Sequence, residues 1–216
     1  MKYLAIFLPI TCLIASCNTL IEEKKINDKN TLPIYGEKKL SGNAEDADTI
    51  FHQVGPFKFC NQYGDTIDEK ITADKIYVAD FFFATCQSIC PKMSSQLSRL
   101  QDSIKNDREI IILSHTVNPM HDTVEVLNTY GKKYGAIKGK WHLLTGSKKS
   151  IYKLAKEGYL VNALEDDESE EGFLHSELFL LVDKQKRVRG LYDGTDSLQV
   201  DKLIRDIKIL KKEKHE

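Results

Sequence analysis

Neither charge is in excess in this chain. Its 31 Lys and Arg stand against 32 Asp and Glu, a formal net charge of −1. A nucleic-acid binder would show a basic stripe, so this balance argues against nucleic acid as a partner. No apolar run is long enough to span a bilayer. The longest, Leu4 to Ile14, is about half of the ~20 residues a helix needs to cross the hydrocarbon core. Cysteines number five, two of them in the first seventeen residues, and the three that remain are not a disulfide framework. No internal repeat, phosphate loop or catalytic base stands out. Hydrophobic residues make up 41% of the chain, enough for a real core, and the length suits one domain with room for a tail.

The N-terminus reads as a targeting segment, residues 1–17, and is set apart from the fold. Lys2 gives a short positive start, the apolar run follows, and Ile14-Ala15-Ser16-Cys17 closes it. That closing tetrad resembles the lipobox of bacterial lipoproteins, which implies cleavage before Cys17 and lipidation of its thiol. The alternatives are an ordinary signal peptide or an uncleaved anchor with Cys17 incidental. Each places the mature domain outside the cytoplasm, and the lipidated form would be a membrane-anchored lipoprotein facing the periplasm or cell exterior. An acylated Cys17 would bind a membrane through its chains, at roughly 0.8 kcal/mol per buried CH₂. Residues 18–48 are polar, charged and without sustained periodicity, as expected of a flexible tether. A single domain is expected over 49–216.

Within that domain, strand patterns alternate with helix patterns. Phe57 to Cys60 alternates at period two into the turn signal Asn61–Asp65, predicting an opening β-hairpin. Ile76 to Phe83 and Glu109 to Val117 are near-continuous apolar runs, as buried strands require. Met93, Leu97, Leu100 and Ile104 fall on one face of a helix. Asp122 and Glu125 have the spacing of a capping box for a helix running to about Tyr134. A short strand over 141–144, a helix over 147–157 closed by Gly158, a hairpin of 177–182 with 188–192, and a terminal helix from Ser197 to about Lys212 complete the order. Alternating βα units followed by a hairpin and a helix predict an α/β sandwich of the thioredoxin type, with an N-terminal β-hairpin and a C-terminal helix.

The residues that carry chemistry are Cys86-Gln-Ser-Ile-Cys90-Pro91, between the first buried strand and the first helix. Sites in α/β folds lie beyond the carboxyl ends of such strands. A helix N-terminus favours thiolate, and Pro91 costs the first turn no needed donor. On a helix the i, i+4 spacing would put both sulfurs on one face, close enough for a disulfide or for one shared metal ion. Thioredoxin-like reductases usually carry two residues between their cysteines. The third residue here argues against a simple oxidoreductase and for a further ligand. His175 is the candidate, because it directly precedes the strand Glu177–Val182, and in thioredoxin folds the loop before that strand abuts the cysteines. His52, His115, His121, His142 and His215 read as surface or core-edge residues, and Cys60 as a buried small residue of the opening hairpin.

The sequence resembles the Sco/SenC family of copper-binding assembly factors for cytochrome c oxidase over roughly residues 50–210. The resemblance rests on FFFATCQSICPKM (81–93), VNPMHDTVEVLNTYGKKYG (117–135), WHLLTG (141–146) and HSELFLLVDKQKRVRGLYDGTD (175–196). It implies one copper, Cu(I) or Cu(II), held by Cys86, Cys90 and His175. Its implied partners are the copper-binding subunit of the oxidase and a copper donor protein. One loop departs: where the family usually has Asp-Pro-x-Arg-Asp, this chain has Asn118-Pro-Met-His121-Asp122, which leaves any docking role of that loop open and makes His121 a candidate auxiliary contact. The ligand chemistry agrees, since soft thiolates hold Cu(I) and two cysteines with a histidine hold Cu(II). Zinc would take the same ligands but normally wants four in a structural site. A three-ligand site on an exposed rim would keep a position open for handing the metal on.

Two further functions fit the same residues: a thiol-disulfide reductase using Cys86 and Cys90 as its redox pair, which would keep the acceptor's cysteines reduced, and a thiol peroxidase. Metal binding needs His175 and dithiol exchange does not. The acidic run Glu165–Glu171 reads as a solvated loop, with electrostatic steering of a basic donor or acceptor as the alternative.

Overall fold

The computed structural model describes residues 31–41, 48–161 and 176–213. Cys17, the acidic run 165–171, His175 and His215 therefore lie outside the described residues. A small antiparallel pair, β1 (Lys38–Ser41) and β2 (Asp48–Phe51), precedes the main sheet. Seven further strands follow: β3 (Lys58–Asn61), β4 (Thr66–Asp68), β5 (Ile76–Phe82), β6 (Ile110–Thr116), β7 (Trp141–Thr145), β8 (Leu178–Val182) and β9 (Val188–Asp193). They form one sheet in the order β4-β3-β7-β6-β5-β8-β9. β5, β6 and β7 are parallel, while β3, β4, β8 and β9 extend the sheet antiparallel at its two sides. All seven residues of β5 and of β6 are buried, as their apolar runs require of strands covered on both faces.

Four helices pack on this sheet: α1 (Cys90–Ile104), α2 (Val124–Lys133), α3 (Lys148–Lys153) and α4 (Ser197–Leu210). The two faces follow the pleat of β5. Phe82 meets Tyr130 of α2, whose hydroxyl lies 2.7 Å from Ser94 Oγ of α1, and Arg99 of α1 pairs with Asp201 of α4. On the other face Tyr77 and Phe81 meet Tyr159, which follows α3. The expected stripe of Met93, Leu97, Leu100 and Ile104 is fully buried. The opening hairpin is β3–β4, and the later one is β8–β9.

Four details differ from the sequence reading. The helix expected over 147–157 is α-helical only to Lys153 and widens into a π-turn to Gly158. α2 is capped by Thr123, which accepts from Val126 N, and Asp122 is instead buried. Cys60 is half-buried in β3 rather than buried. Residues 31–41, inside the stretch read as tether, lie against the domain. Tyr35 N donates to Val188 O, and the buried Arg189 donates to the carbonyls of Leu32 and Pro33 while pairing with Asp183 and Glu213. This guanidinium has five donors and finds acceptors on the N-terminal stretch, on the β8–β9 turn and beyond α4.

Candidate functional site: the Cys86–Cys90 loop

β5 ends at Phe82 and α1 starts at Cys90, so the cysteine loop occupies the crevice at the carboxyl end of a central parallel strand. The helix begins at Cys90 itself, with Pro91 in its first turn, and Cys86 stands in the turn before it. The two sulfurs therefore do not share a helical face, as the i, i+4 spacing had suggested; the turn folds Cys86 back toward the helix start. There Cys86 Sγ accepts from Cys90 N at 3.4 Å and lies 3.6 Å from Ser88 Oγ. The sulfur occupies the place of a capping oxygen, taking one of the donors that a helix N-terminus leaves free. Both thiols are free, and they are only 5% and 2% exposed, not an open rim.

The two thiols are electrostatically unequal. Burial pushes the Cys86 thiol up, but hydrogen bonds from Cys90 and Ser88 outweigh it and bring the group below the usual cysteine range. Burial pushes Cys90 far above that range; a bond from Phe83 opposes this, while its neighbour Cys86 and the carboxyl of Asp80 add to the rise. Asp80 was missed in the sequence, although a lone acid inside Ile76–Phe83 was the available signal. It is buried in β5, its carboxyl pushed up to about 7 by burial against the opposing hydrogen bond from Ser114 Oγ, which itself accepts from Trp141 Nε1 at 2.8 Å.

Asp122, read from the pattern as part of a capping box, has a different role. Fully buried, it accepts at Oδ2 from Ala84 N (3.0 Å) and from Thr116 Oγ1, and at Oδ1 lies 3.0 Å from His121 Nδ1. It thereby ties the β6–α2 loop to the backbone two residues before Cys86.

The remaining candidates are placed as follows. His115 is neither at the surface nor at the core edge. It is enclosed by Phe57, Phe59, Phe81 and Tyr159, and burial lowers its pKa to about 3. His142 is buried near Asn61, and His52 Nε2 lies 2.8 Å from Gly158 O. Among the described residues no group of three His, Cys, Asp or Glu could hold a metal ion. The described residues resume at Ser176, the residue after His175. Since β8 runs antiparallel to β5 with Leu180 opposite Ala79, this beginning of β8 lies beside the carboxyl end of β5, at the same end of the sheet as the cysteines. A groove of about 660 Å³ between residues 53–59 and α3 is lined by neither cysteine.

Fold and loop together define a thioredoxin-like protein with a paired-cysteine loop at the start of its first helix. The chain belongs to the SCO1/SenC family, whose model matches residues 45–212. It is similar to a solved SCO1/SenC family lipoprotein from Bacillus anthracis str. Ames, with 32% identity, a TM-score of 0.67, and coverage of 74% of this chain and 96% of that one. It is also similar to BsSco, described as a Sco-family cytochrome c oxidase assembly protein with a disulfide switch: 28% identity, TM-score 0.66, and coverage of 76% and 95%. A third likeness is to Arabidopsis thaliana ScoI with copper bound: 26% identity, TM-score 0.60, and coverage of 74% and 98%.

Proposed function

We propose that this chain binds one copper ion through Cys86, Cys90 and His175 and delivers it to the dinuclear copper site of cytochrome c oxidase. The observation that carries the reading is the cysteine loop itself: two free sulfurs at the start of one helix, Cys86 already drawn toward thiolate. Thiolates are the ligands that hold Cu(I), and an imidazole added to them extends the set to Cu(II). The likeness to a copper-bound ScoI and to an oxidase assembly protein supports the same choice. Under this reading Cys17 carries the lipid that keeps the domain at a membrane outside the cytoplasm, and the likeness to a family lipoprotein supports that anchor. Among the described residues no helix is long and apolar enough to cross a membrane.

The test is copper loading of the full chain. After gel filtration, one copper per chain and a visible thiolate-to-Cu(II) absorption band are expected, both lost in Cys86→Ala/Cys90→Ala. Full stoichiometry in that double variant would sink the assignment.

A second reading, thiol-disulfide reduction of the acceptor's cysteines, is favoured by the inequality of the two thiols. A lowered Cys86 beside a raised Cys90 is the division expected of an attacking and a resolving thiol. The two readings part at His175. His175→Ala should abolish most Cu(II) binding and leave oxidation of the dithiol largely intact. A strain carrying it that still assembles active oxidase at limiting copper would favour reduction over delivery.

A further inference from the structure

Near-complete burial of both sulfurs leaves open how an ion held by another protein reaches them, and the adjoining β6–α2 loop offers two ligands that the site does not use. Met120 is 88% exposed. A thioether so placed fills no core, and its chemistry is that of a soft ligand for Cu(I). His121 follows, with its side chain 51% exposed. The 3.0 Å contact with Asp122 Oδ1 engages His121 Nδ1, and in the neutral ring with its proton there Nε2 is the nitrogen able to ligate a metal. Holding the far nitrogen of an imidazole on a carboxylate is how proteins orient histidines that bind metal. The turn is held by His121 N and Asp122 N, both donating to Asn118 O. The same Asp122 bonds Ala84 N, so this loop is tied to the backbone beside Cys86.

We propose that Met120 Sδ and His121 Nε2 form an outer docking site for Cu(I), from which the ion passes to Cys86 and Cys90. The proposal rests on the copper reading and adds the route of entry. The step is ligand exchange with no change of oxidation state. Copper–sulfur bonds form to the cysteines as their thiol protons leave to solvent, and the bonds to thioether and imidazole break. Two ligands leave the ion open to a donor or acceptor protein throughout.

The experiment is an anaerobic titration of the full chain carrying Cys86→Ser, Cys90→Ser and His175→Ala with Cu(I) held by bicinchoninate. One residual Cu(I) per chain is expected, held weakly enough to be lost on gel filtration, with a thioether sulfur and an imidazole nitrogen in its X-ray absorption spectrum. It should vanish on adding Met120→Leu and His121→Arg; arginine keeps a donor for Asp122 and offers no metal ligand, and an unchanged melting temperature would confirm that the fold survives. No residual copper, or residual copper unaffected by that pair, overturns the proposal. With both cysteines and His175 in place, the pair should slow transfer from the chelator without lowering the copper retained after gel filtration, and an unchanged rate would equally overturn it. Failure of the main copper site would show instead as a chain whose copper retained after gel filtration ignores the cysteines, a result independent of the residual titration.

Discussion

Replacing Asp80 by asparagine tests the electrostatics behind the cysteine loop. Burial pushes this carboxyl from 3.8 to about 7 in the folded chain. A folded value above the unfolded one means that the native state is favoured while the group is protonated. That advantage is complete below about pH 4 and is lost as pH rises through 7. Three units at about 1.36 kcal/mol each amount to about 4 kcal/mol as an upper bound. Between pH 5 and pH 8 the linkage relation leaves roughly 2.5 kcal/mol of that loss. Asparagine removes the titration but buries an amide with one acceptor and two new donors, at a cost of about 1–3 kcal/mol that does not depend on pH. The assay is urea unfolding of the reduced protein, wild type and Asp80→Asn, at pH 5 and pH 8. Differencing the two proteins at each pH cancels every other titrating group. The variant should gain on the wild type by roughly 2.5 kcal/mol from pH 5 to pH 8. An equal difference at both pH values would refute the assignment of a raised carboxyl.

The neighbouring thiols give a second expectation: iodoacetamide should modify Cys86 before Cys90 as pH rises, and Ser88→Ala should move the Cys86 midpoint upward because it removes one of the bonds that lower it. Mass mapping of the labelled peptides reads both. Truncation before Thr31 should leave stability unchanged, whereas truncation through residue 45 strips Arg189 of its two carbonyl acceptors at Leu32 and Pro33. Hydrogen bonds to a charged group contribute about 1.5–3 kcal/mol each, so the longer deletion should cost roughly 3 kcal/mol or more in chemical unfolding. Identical stability of the two truncations would show that the strap contributes nothing. His115→Phe, in a cage of aromatic rings where the imidazole is held neutral, should leave copper stoichiometry untouched and flatten acid unfolding. Its folded pKa of about 3 lies below the usual histidine value, so the wild type loses stability as pH falls through about 6.5 toward 3, and the variant should not.

The central layer was legible because period and burial agree there. Ile76–Phe82 and Ile110–Thr116 are buried throughout, and the stripe of Met93, Leu97, Leu100 and Ile104 faces the sheet. The strap of residues 31–41 was not legible. Its contacts are backbone groups meeting one buried guanidinium more than 150 residues away, and a backbone acceptor leaves no mark on composition or periodicity. The start of α2 failed for a related reason. Asp122 and Glu125 satisfy a local capping pattern, but the bond to Ala84 N, 38 residues back in the chain, uses the same carboxyl group, and a fully buried polar group answers to its tertiary partners first.

The same competition explains why the cysteines were found and their surroundings were not. Spacing and the following proline announce a pair at a helix start, and that much survives. Spacing is silent on whether four residues form a helical turn or a bend. The bend makes the difference to the chemistry, because it gives Cys86 a free helix donor and withholds one from Cys90. The inequality of the thiols therefore has two sources: burial, which raises Cys90, and the place where α1 begins, which gives Cys86 its backbone donor. Moving that start by one turn, with no change of residue identity at Cys86 or Cys90, would take the donor from Cys86 and narrow the difference, while the burial that raises Cys90 would remain.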